Sequence, residues 1–297
     1  MKVLVTGQTG QLASSLKERL QSEADIEAVF TGRPALDLER PDTIAPVVRD
    51  AAPDVVINAA AWTAVDAAED EFERAMTANA RAPEALAQAC GDIGARLIHM
   101  STDYVFDGNK AGAYTEDDPV NPQSVYGRSK LEGEIGVRRA LPDHHIILRT
   151  AWVYSPFGRN FLKTMLALAE NRDEVSVVDD QIGTPTSALD IAEAIAAILA
   201  AWRERPGAGL GRTYNCAGSG EASWAEFARH IFAASAAAGG PTARVKGIPT
   251  SAYPTKATRP KNSRLVCENL EREFGVAMPD WRVSTEETVL RLMDEVE

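Results

Sequence analysis

Lys2-Val3-Leu4-Val5-Thr6-Gly7-Gln8-Thr9-Gly10-Gln11-Leu12-Ala13 joins a short apolar run to a glycine turn, then to a segment where Leu12, Leu16 and Leu20 recur at helical spacing. A strand that turns this tightly into a helix presents backbone N–H groups at the helix start, and glycine lets an anion approach them. The pattern is G-x-x-G-x-x-A, through Gly7, Gly10 and Ala13. Alanine at the third place still allows the helix to pack closely on the strand. Alone, the pattern also suits a plain strand–helix turn. Its place directly after an N-terminal strand turns the reading toward a dinucleotide phosphate.

The rhythm continues outward from there. Ile26 to Phe30 and Val55-Val56-Ile57 read as strands, Leu97-Ile98-His99-Met100 and Ile146-Ile147-Leu148 as two more. Between them lie helical stretches at Thr43 to Ala51, at Glu71 to Ile93 with a break or restart at Pro83, and around Tyr126. Strand–helix alternation with nearly all-apolar strands predicts a doubly wound parallel α/β sheet covered by helices on both faces. After about Thr150 the rhythm loosens into Ala-rich helices (Leu189 to Trp202, Trp224 to Ala238) and Gly/Pro-rich loops. The expected organisation is a dinucleotide-binding domain over residues 1–150. A smaller substrate lobe over 151–297 follows, with some of its segments returning to the first domain.

The end of the second strand discriminates between cofactors. An acidic residue there suits the ribose hydroxyls of NAD, and a basic one the 2′-phosphate of NADP. The segment is Phe30-Thr31-Gly32-Arg33, without an acid, so Arg33 points to NADPH, with NADH also possible. Asp37-Leu38 comes late for the ribose and flanks the adenine instead. Asn58-Ala59-Ala60-Ala61 follows the third strand, where small side chains let a ligand approach the sheet's C-terminal edge.

Tyr126 and Lys130, at i and i+4, share a helix face. A free phenol has a pKa of about 10, and a neighbouring ammonium stabilises phenolate, so Lys130 is expected to make Tyr126 a better acid. Thr102 follows the strand Leu97 to Met100, where its hydroxyl converges with the phenol on one carbonyl oxygen. Lys130 can also reach the nicotinamide ribose, which puts both Tyr126 and Lys130 at the cofactor's reactive end. These residues suit reduction of a carbonyl.

Composition excludes several classes. The net charge is −12, which argues against a nucleic-acid binder. Cys90, Cys216 and Cys267 form no C-x-x-C pair and read as reduced cysteines. The strand begins at Lys2 with no apolar leader before it, and the most apolar stretch, Ala188 to Trp202, is too short to span a bilayer. The expectation is a cytoplasmic protein with no membrane partner. His99 reads as a core residue, and no Cys/His/carboxylate spacing suggests a metal site.

Four segments together carry a resemblance: Ser101-Thr102-Asp103-Tyr104-Val105-Phe106-Asp107-Gly108, Tyr126-Gly127-Arg128-Ser129-Lys130, Arg149-Thr150-Ala151-Trp152-Val153-Tyr154 and Asp180-Gln181-x-Gly183-x-Pro185-Thr186. With the N-terminal turn, they resemble the extended short-chain dehydrogenase/reductases, a Rossmann-type superfamily, and within it the dTDP-4-dehydrorhamnose reductases. The resemblance covers almost the whole chain. It implies NADPH-dependent reduction of a 4-keto group on a dTDP-sugar, with Thr102, Tyr126 and Lys130 in the catalytic roles. It implies cofactor positions at Gly7, Gln11, Leu12, Asp37, Leu38, Ala59, Ala60 and Ala61, and substrate-side positions at Tyr104 and Trp152. Sugar-nucleotide dehydratases of similar fold carry Asp-Glu after the threonine; here Asp103 is followed by Tyr104, so elimination is disfavoured. Some relatives dimerise through a metal held by acids of the first helix and C-terminus. Ser14-Ser15 stands where an acid is expected, so no such metal is predicted, while a homodimer remains open.

A diphosphate needs local positive charge in an acidic protein. The stretch from Lys256 to Arg264 supplies it, and Arg259 and Lys261 are the candidate contacts. A solvated basic loop is the competing reading. Asn160, Phe161 and Lys163 are candidates for lining the same cleft. Two rival functions stay open: a reductase of another 4-keto-6-deoxy sugar nucleotide, and a non-catalytic regulatory subunit of methionine adenosyltransferase. The presence of Thr102, Tyr126 and Lys130 opposes the second.

Overall fold

The computed structural model describes residues 1–294; residues 295–297, the end of the expected second lobe, lie outside it. The first half runs β1 (Lys2–Thr6), α1 (Gln11–Leu20), β2 (Glu27–Thr31), α2 (Ile44–Ala51), β3 (Val55–Asn58), α3 (Val65–Asp70) and α4 (Phe72–Met76), then α5 (Ala82–Ile93), β4 (Arg96–Thr102), α6 (Val125–Ala140) and β5 (His145–Thr150). The second half runs β6 (Val153–Tyr154), α7 (Phe161–Ala169), β7 (Glu174–Val178), β8 (Ile182–Gly183), β9 (Thr186–Ser187), α8 (Ala188–Glu204) and β10 (Arg212–Asn215), then β11 (Ala222–Ser223), α9 (Trp224–Ala237), β12 (Arg244–Ile248), α10 (Glu268–Phe274) and α11 (Trp281–Asp294).

Six strands form one parallel sheet in the order β10-β5-β4-β3-β1-β2. Alternate side chains of each strand enter different cores, as a pleat buried on both faces demands. Val3, Val5, Ile57, Ile98 and Leu148 pack with Leu12, Leu16 and Leu20 of α1 and with Ile191, Ile195 and Leu199 of α8. Leu4, Val56, Leu97 and Ile147 pack on the other side with Ile44 and Val48 of α2, Leu86 of α5 and Val137 of α6. The strands end in polar residues: Thr6, Thr31, Asn58, Thr102, Thr150 and Asn215 lie at the C-terminal edge. From β1 the chain passes to β2 on one side and returns to place β3 on the other, so the topology reverses at the C-terminal end of β1. Open α/β sheets bind ligands at such a point.

Two features extend the sequence reading. The stretch from Phe72 to Ile93 is not broken at Pro83: a π-helical turn, Thr77–Arg81, is inserted between α4 and α5. Proline has no N–H to offer the carbonyl of residue 79 and collides with it, and the wider turn relieves both conflicts. The later chain also completes the first core, with β10 joining the sheet beside β5 and α8 packing on α1. A second core gathers Leu162 and Leu166 of α7, Phe227 and Ile231 of α9, Trp281 and Val289 of α11, and Val175 of β7, which pairs in parallel with β12.

Candidate active site

Gly7 follows β1 with φ +102°, a conformation that side chains rarely adopt, and its N–H donates to the Thr31 carbonyl at 2.7 Å. A Cβ at Gly7 would meet Cβ of Ala13 at 3.4 Å and of Ala60 at 3.7 Å, so the turn, the helix and the loop after β3 converge there. Gly10 caps α1 without a side-chain hydrogen bond; the first turn holds no acid, and a Cβ on Gly10 would meet nothing within 4 Å. The first N–H groups of α1 therefore face open space at the positive end of the helix dipole. These features fit a dinucleotide diphosphate. Ala59, Ala60 and Ala61 are half-buried beside it, with Ala60 N–H bonded to Thr6 Oγ1 at 3.3 Å.

Leu12 is buried in the core, so only its backbone faces the turn. The Gln11 side chain is occupied: it donates to the Val153 carbonyl and accepts from Ser155 and Asn160, both at 3.0 Å. Arg33 is exposed just past β2. Its charge reaches Glu39, whose carboxyl is held below its ordinary range chiefly by hydrogen bonds from Arg74. Asp37 and Leu38 are half-buried in the same loop, with Asp37 Oδ1 accepting from Glu39 N–H at 3.0 Å.

Thr102 ends β4 opposite Thr150 of β5. Its hydroxyl donates to Asp103 at 2.9 Å and accepts from Tyr104 N–H at 3.2 Å, which fixes its rotamer. Tyr126 lies in the first turn of α6, which Ser124 caps, and meets the Tyr104 ring edge-on at a centroid distance of 5.3 Å. Burial raises the Tyr126 phenol above its ordinary value, and a hydrogen bond with Thr102 opposes the rise. Lys130 is 2% exposed; its ammonium donates to the Met100 carbonyl at 2.6 Å. Burial pushes Lys130 down to about 8, against the pull of Glu134. The expected depression of the phenol by Lys130 is therefore not what the geometry gives. The ammonium turns to the strand carbonyl, and desolvation dominates Tyr126. Burial also brings Asp103 up to about 6, opposed by hydrogen bonds from Ser263 and Thr102.

On the substrate side, Arg259 donates to Asp66 of α3 at 2.8 Å, its charge works against the burial that raises the Tyr104 phenol, and its Nε is buried without a partner. The chain beside it crosses Gly108, where a Cβ would lie 2.7 Å from Pro260. Arg259 thus stands next to the Tyr104–Tyr126 pair. Lys261 is exposed, and its charge acts on Asp180 instead. Asn160 caps α7 and ties it to Gln11, so its amide is committed to joining the glycine turn to the later chain. Lys163 donates to the Pro156 carbonyl at 2.8 Å. Trp152 follows Thr150 at the strand edge and stacks on Trp224.

Several contributors escaped the sequence reading. Asn79, on the π turn, accepts from Trp62 N–H at 2.8 Å and donates to the Trp62 carbonyl and to Ser129. It links the loop beneath the cofactor cleft to the helix carrying Tyr126 and Lys130. Its only sequence signal is Pro83, four residues on. Glu134 takes hydrogen bonds from Ser101, Arg138 and Arg149 while fully buried; its spacing of four from Lys130 is the signal that could have found it. His99 is buried as expected, with Asn58 Nδ2 and His99 Nδ1 3.0 Å apart.

A parallel sheet with a glycine turn at its reversal point, Thr102 at the adjoining strand edge, and Tyr126 and Lys130 on α6 beside it define an extended short-chain dehydrogenase/reductase. The family described as RmlD substrate binding domain matches residues 1–293. A dTDP-4-dehydrorhamnose reductase of Sinorhizobium fredii is 48% identical over 99% of both chains, and that of Escherichia coli is 41% identical over 100% of this chain and 98% of its own. Among solved structures, a dTDP-4-dehydrorhamnose reductase of Clostridium acetobutylicum superimposes with a TM-score of 0.90 at 38% identity, covering 98% of this chain and 99% of that one. The Bacillus anthracis reductase in complex with NADP gives 0.88 at 34% identity, with the same coverage. The chain belongs to the dTDP-4-dehydrorhamnose reductase family.

Proposed function

We propose that this protein reduces the C4 keto group of dTDP-4-dehydro-L-rhamnose to give dTDP-L-rhamnose, with NADPH as reductant. The observation that carries the reading is the convergence of Thr102, Tyr126 and Lys130 at the strand edge beside a cradle fitted to a dinucleotide. The names of the full-length relatives and the NADP in one of them support it. NADPH rather than NADH rests on Arg33, an exposed cation just past β2 where an NAD site would carry an acid.

When bound, the reduced nicotinamide supplies hydride to C4. The chain's own residues manage the oxygen. The Thr102 proton, which rests on Asp103 in the free protein, turns to the carbonyl when the sugar nucleotide binds and strengthens its polarisation. Tyr126 transfers its proton to the oxygen as negative charge develops, leaving an alcohol at C4. The upward shift of the phenol suits this role, because it keeps the proton on Tyr126 at neutral pH, while an alkoxide is basic enough to take it. Lys130, mostly protonated below about pH 8, holds its positive charge on the Met100 carbonyl and is released toward the phenolate as negative charge forms there. It also stands within reach of the cofactor ribose. Arg259 offers its buried Nε–H toward the sugar-nucleotide diphosphate, with Lys261 further out. Tyr104 and Trp152 form walls of the sugar subsite.

The test is NADPH consumption with the 4-keto sugar nucleotide, generated enzymatically from dTDP-glucose, and chromatography of the product. Formation of dTDP-L-rhamnose supports the reading. Tight NADPH binding with no turnover of this substrate overturns it and favours another 4-keto sugar nucleotide.

A further inference from the structure

Trp152 is one of two described non-glycine residues with positive φ, at +48°. A left-handed backbone under a bulky side chain is strained, and persists only where the surroundings over-determine it. The surroundings of Trp152 do so from three sides. One face of its indole stacks on Trp224, with centroids 3.6 Å apart and planes 10° from parallel. Its edge lies over Gly183, where a Cβ would sit 2.5 Å from Trp152 Cε2 and 2.8 Å from Nε1. Its carbonyl accepts from Thr186 N–H at 3.2 Å, beside the parallel pairing of β6 with β9.

These supports are built as one unit. Gly183 pairs with Ala222, and Ile182 with Ser223, in the short β8–β11 ladder. Ser223 then caps α9 in a reciprocal box with Glu226, so Trp224, the first residue of the helix, starts from a fixed backbone. Gly183 is not among the residues with positive φ, so its backbone does not require glycine; the indole does. The place of the Asp180-Gln181-x-Gly183-x-Pro185-Thr186 segment in the fold gives it a mechanical role, making room for Trp152 and anchoring it.

We infer that Gly183 and Trp224 are positioning residues that hold Trp152 in a single orientation as a preorganised wall of the sugar subsite. The inference rests on the reading of Trp152 as a sugar-side residue, and deepens it. A strained backbone and a glycine cleared for one indole serve orientation better than stability, and misplacing a substrate-orienting group by about 1 Å can cost up to ~100-fold in rate.

Circular dichroism and kinetics on the full chain test it together. Two stacked indoles couple and give an exciton couplet, which Trp152→Leu and Trp224→Leu should each abolish. Trp224→Leu and Gly183→Ala should both raise KM for the sugar nucleotide about 10-fold, as Trp152→Leu does, with KM for NADPH unchanged and Trp224→Phe restoring most of the loss. Gly183→Ala keeps both indoles and adds one methyl, so it separates displacement of Trp152 from loss of a core residue. The positioning role is overturned if Trp224→Leu and Gly183→Ala bind the sugar nucleotide normally while Trp152→Leu does not. If Trp152→Leu itself leaves KM unchanged although the couplet is lost, the sugar-side reading of Trp152 fails, and the inference with it. A wild-type protein that shows the couplet but does not turn over the substrate overturns the functional reading and the role assigned here, while the stacked pair stands.

Discussion

Glu134 grips the Arg149 guanidinium with both carboxylate oxygens, Nε to Oε1 at 2.8 Å and Nη2 to Oε2 at 2.7 Å, and both side chains are buried. Glu134 lies one helical turn past Lys130 on α6, and Ser101 of β4 also donates to it at 2.6 Å. Burial alone would raise its carboxyl, but Arg149, Arg138 and Ser101 hold it below the ordinary range. The network thus docks α6 onto β4 and β5 and places a fixed negative charge behind the Lys130 ammonium. Glu134→Gln leaves two guanidinium groups facing a neutral partner and should lose about 3–5 kcal/mol of stability, measured by urea unfolding. Because Glu134 raises Lys130, the same variant should move the basic limb of the kcat–pH profile to lower pH. An unmoved limb would remove Glu134 from that role.

Lys130 itself should destabilise the fold at neutral pH. Its folded pKa, about 8, lies below the ordinary 10.5. Between these values the unfolded chain binds the extra proton, so stability rises with pH through that window. The rise should be present in the wild type and absent in Lys130→Met when Tm is followed from pH 8 to 10.5. Parallel Tm–pH curves for the two proteins would contradict the burial argument.

Arg33 is the only basic residue in the Phe30-Thr31-Gly32-Arg33 segment and is exposed there. Arg33→Ala should weaken NADPH by about 10-fold and NADH by little, the size expected for losing one charge-assisted hydrogen bond to phosphate. Equal losses for both cofactors, read by fluorescence titration, would take Arg33 away from the 2′-phosphate.

Asn79→Leu should cost about 1–3 kcal/mol, because Trp62 N–H loses its partner beneath the loop that follows β3. It should also raise KM for NADPH, since the same side chain connects that loop to Ser129 on α6. A stability loss with an unchanged KM would reduce Asn79 to a packing role.

The sheet and its cofactor edge are legible in the sequence because both are local. Leu12, Leu16 and Leu20 announce a helix within one segment, and Gly7 announces a turn that only a few residues build. The Tyr126–Lys130 face follows from helical spacing alone. What stays hidden depends on contacts distant in sequence. Nothing near Asp66 shows that Arg259 will reach it, and nothing near Gly183 shows that Trp152 will lie over it. The direction of the Tyr126 shift is also out of reach: spacing puts an ammonium near a phenol, but burial outweighs that neighbour and the Met100 carbonyl draws it away. In sequence Asn160 is free to line a cleft, and the fold commits it to Gln11 and a helix cap.

The proposed reaction turns on hydride delivery to C4 with the proton drawn from Tyr126. Mass spectrometry reads it, on the product formed from dTDP-4-dehydro-L-rhamnose and NADPH deuterated at the transferring position, run beside Tyr126→Phe. The expected product is dTDP-L-rhamnose carrying deuterium at C4, and the variant should be slower by about 100- to 10,000-fold with NADPH binding retained. Product without deuterium, or a Tyr126→Phe protein that turns over at the wild-type rate, would contradict this mechanism.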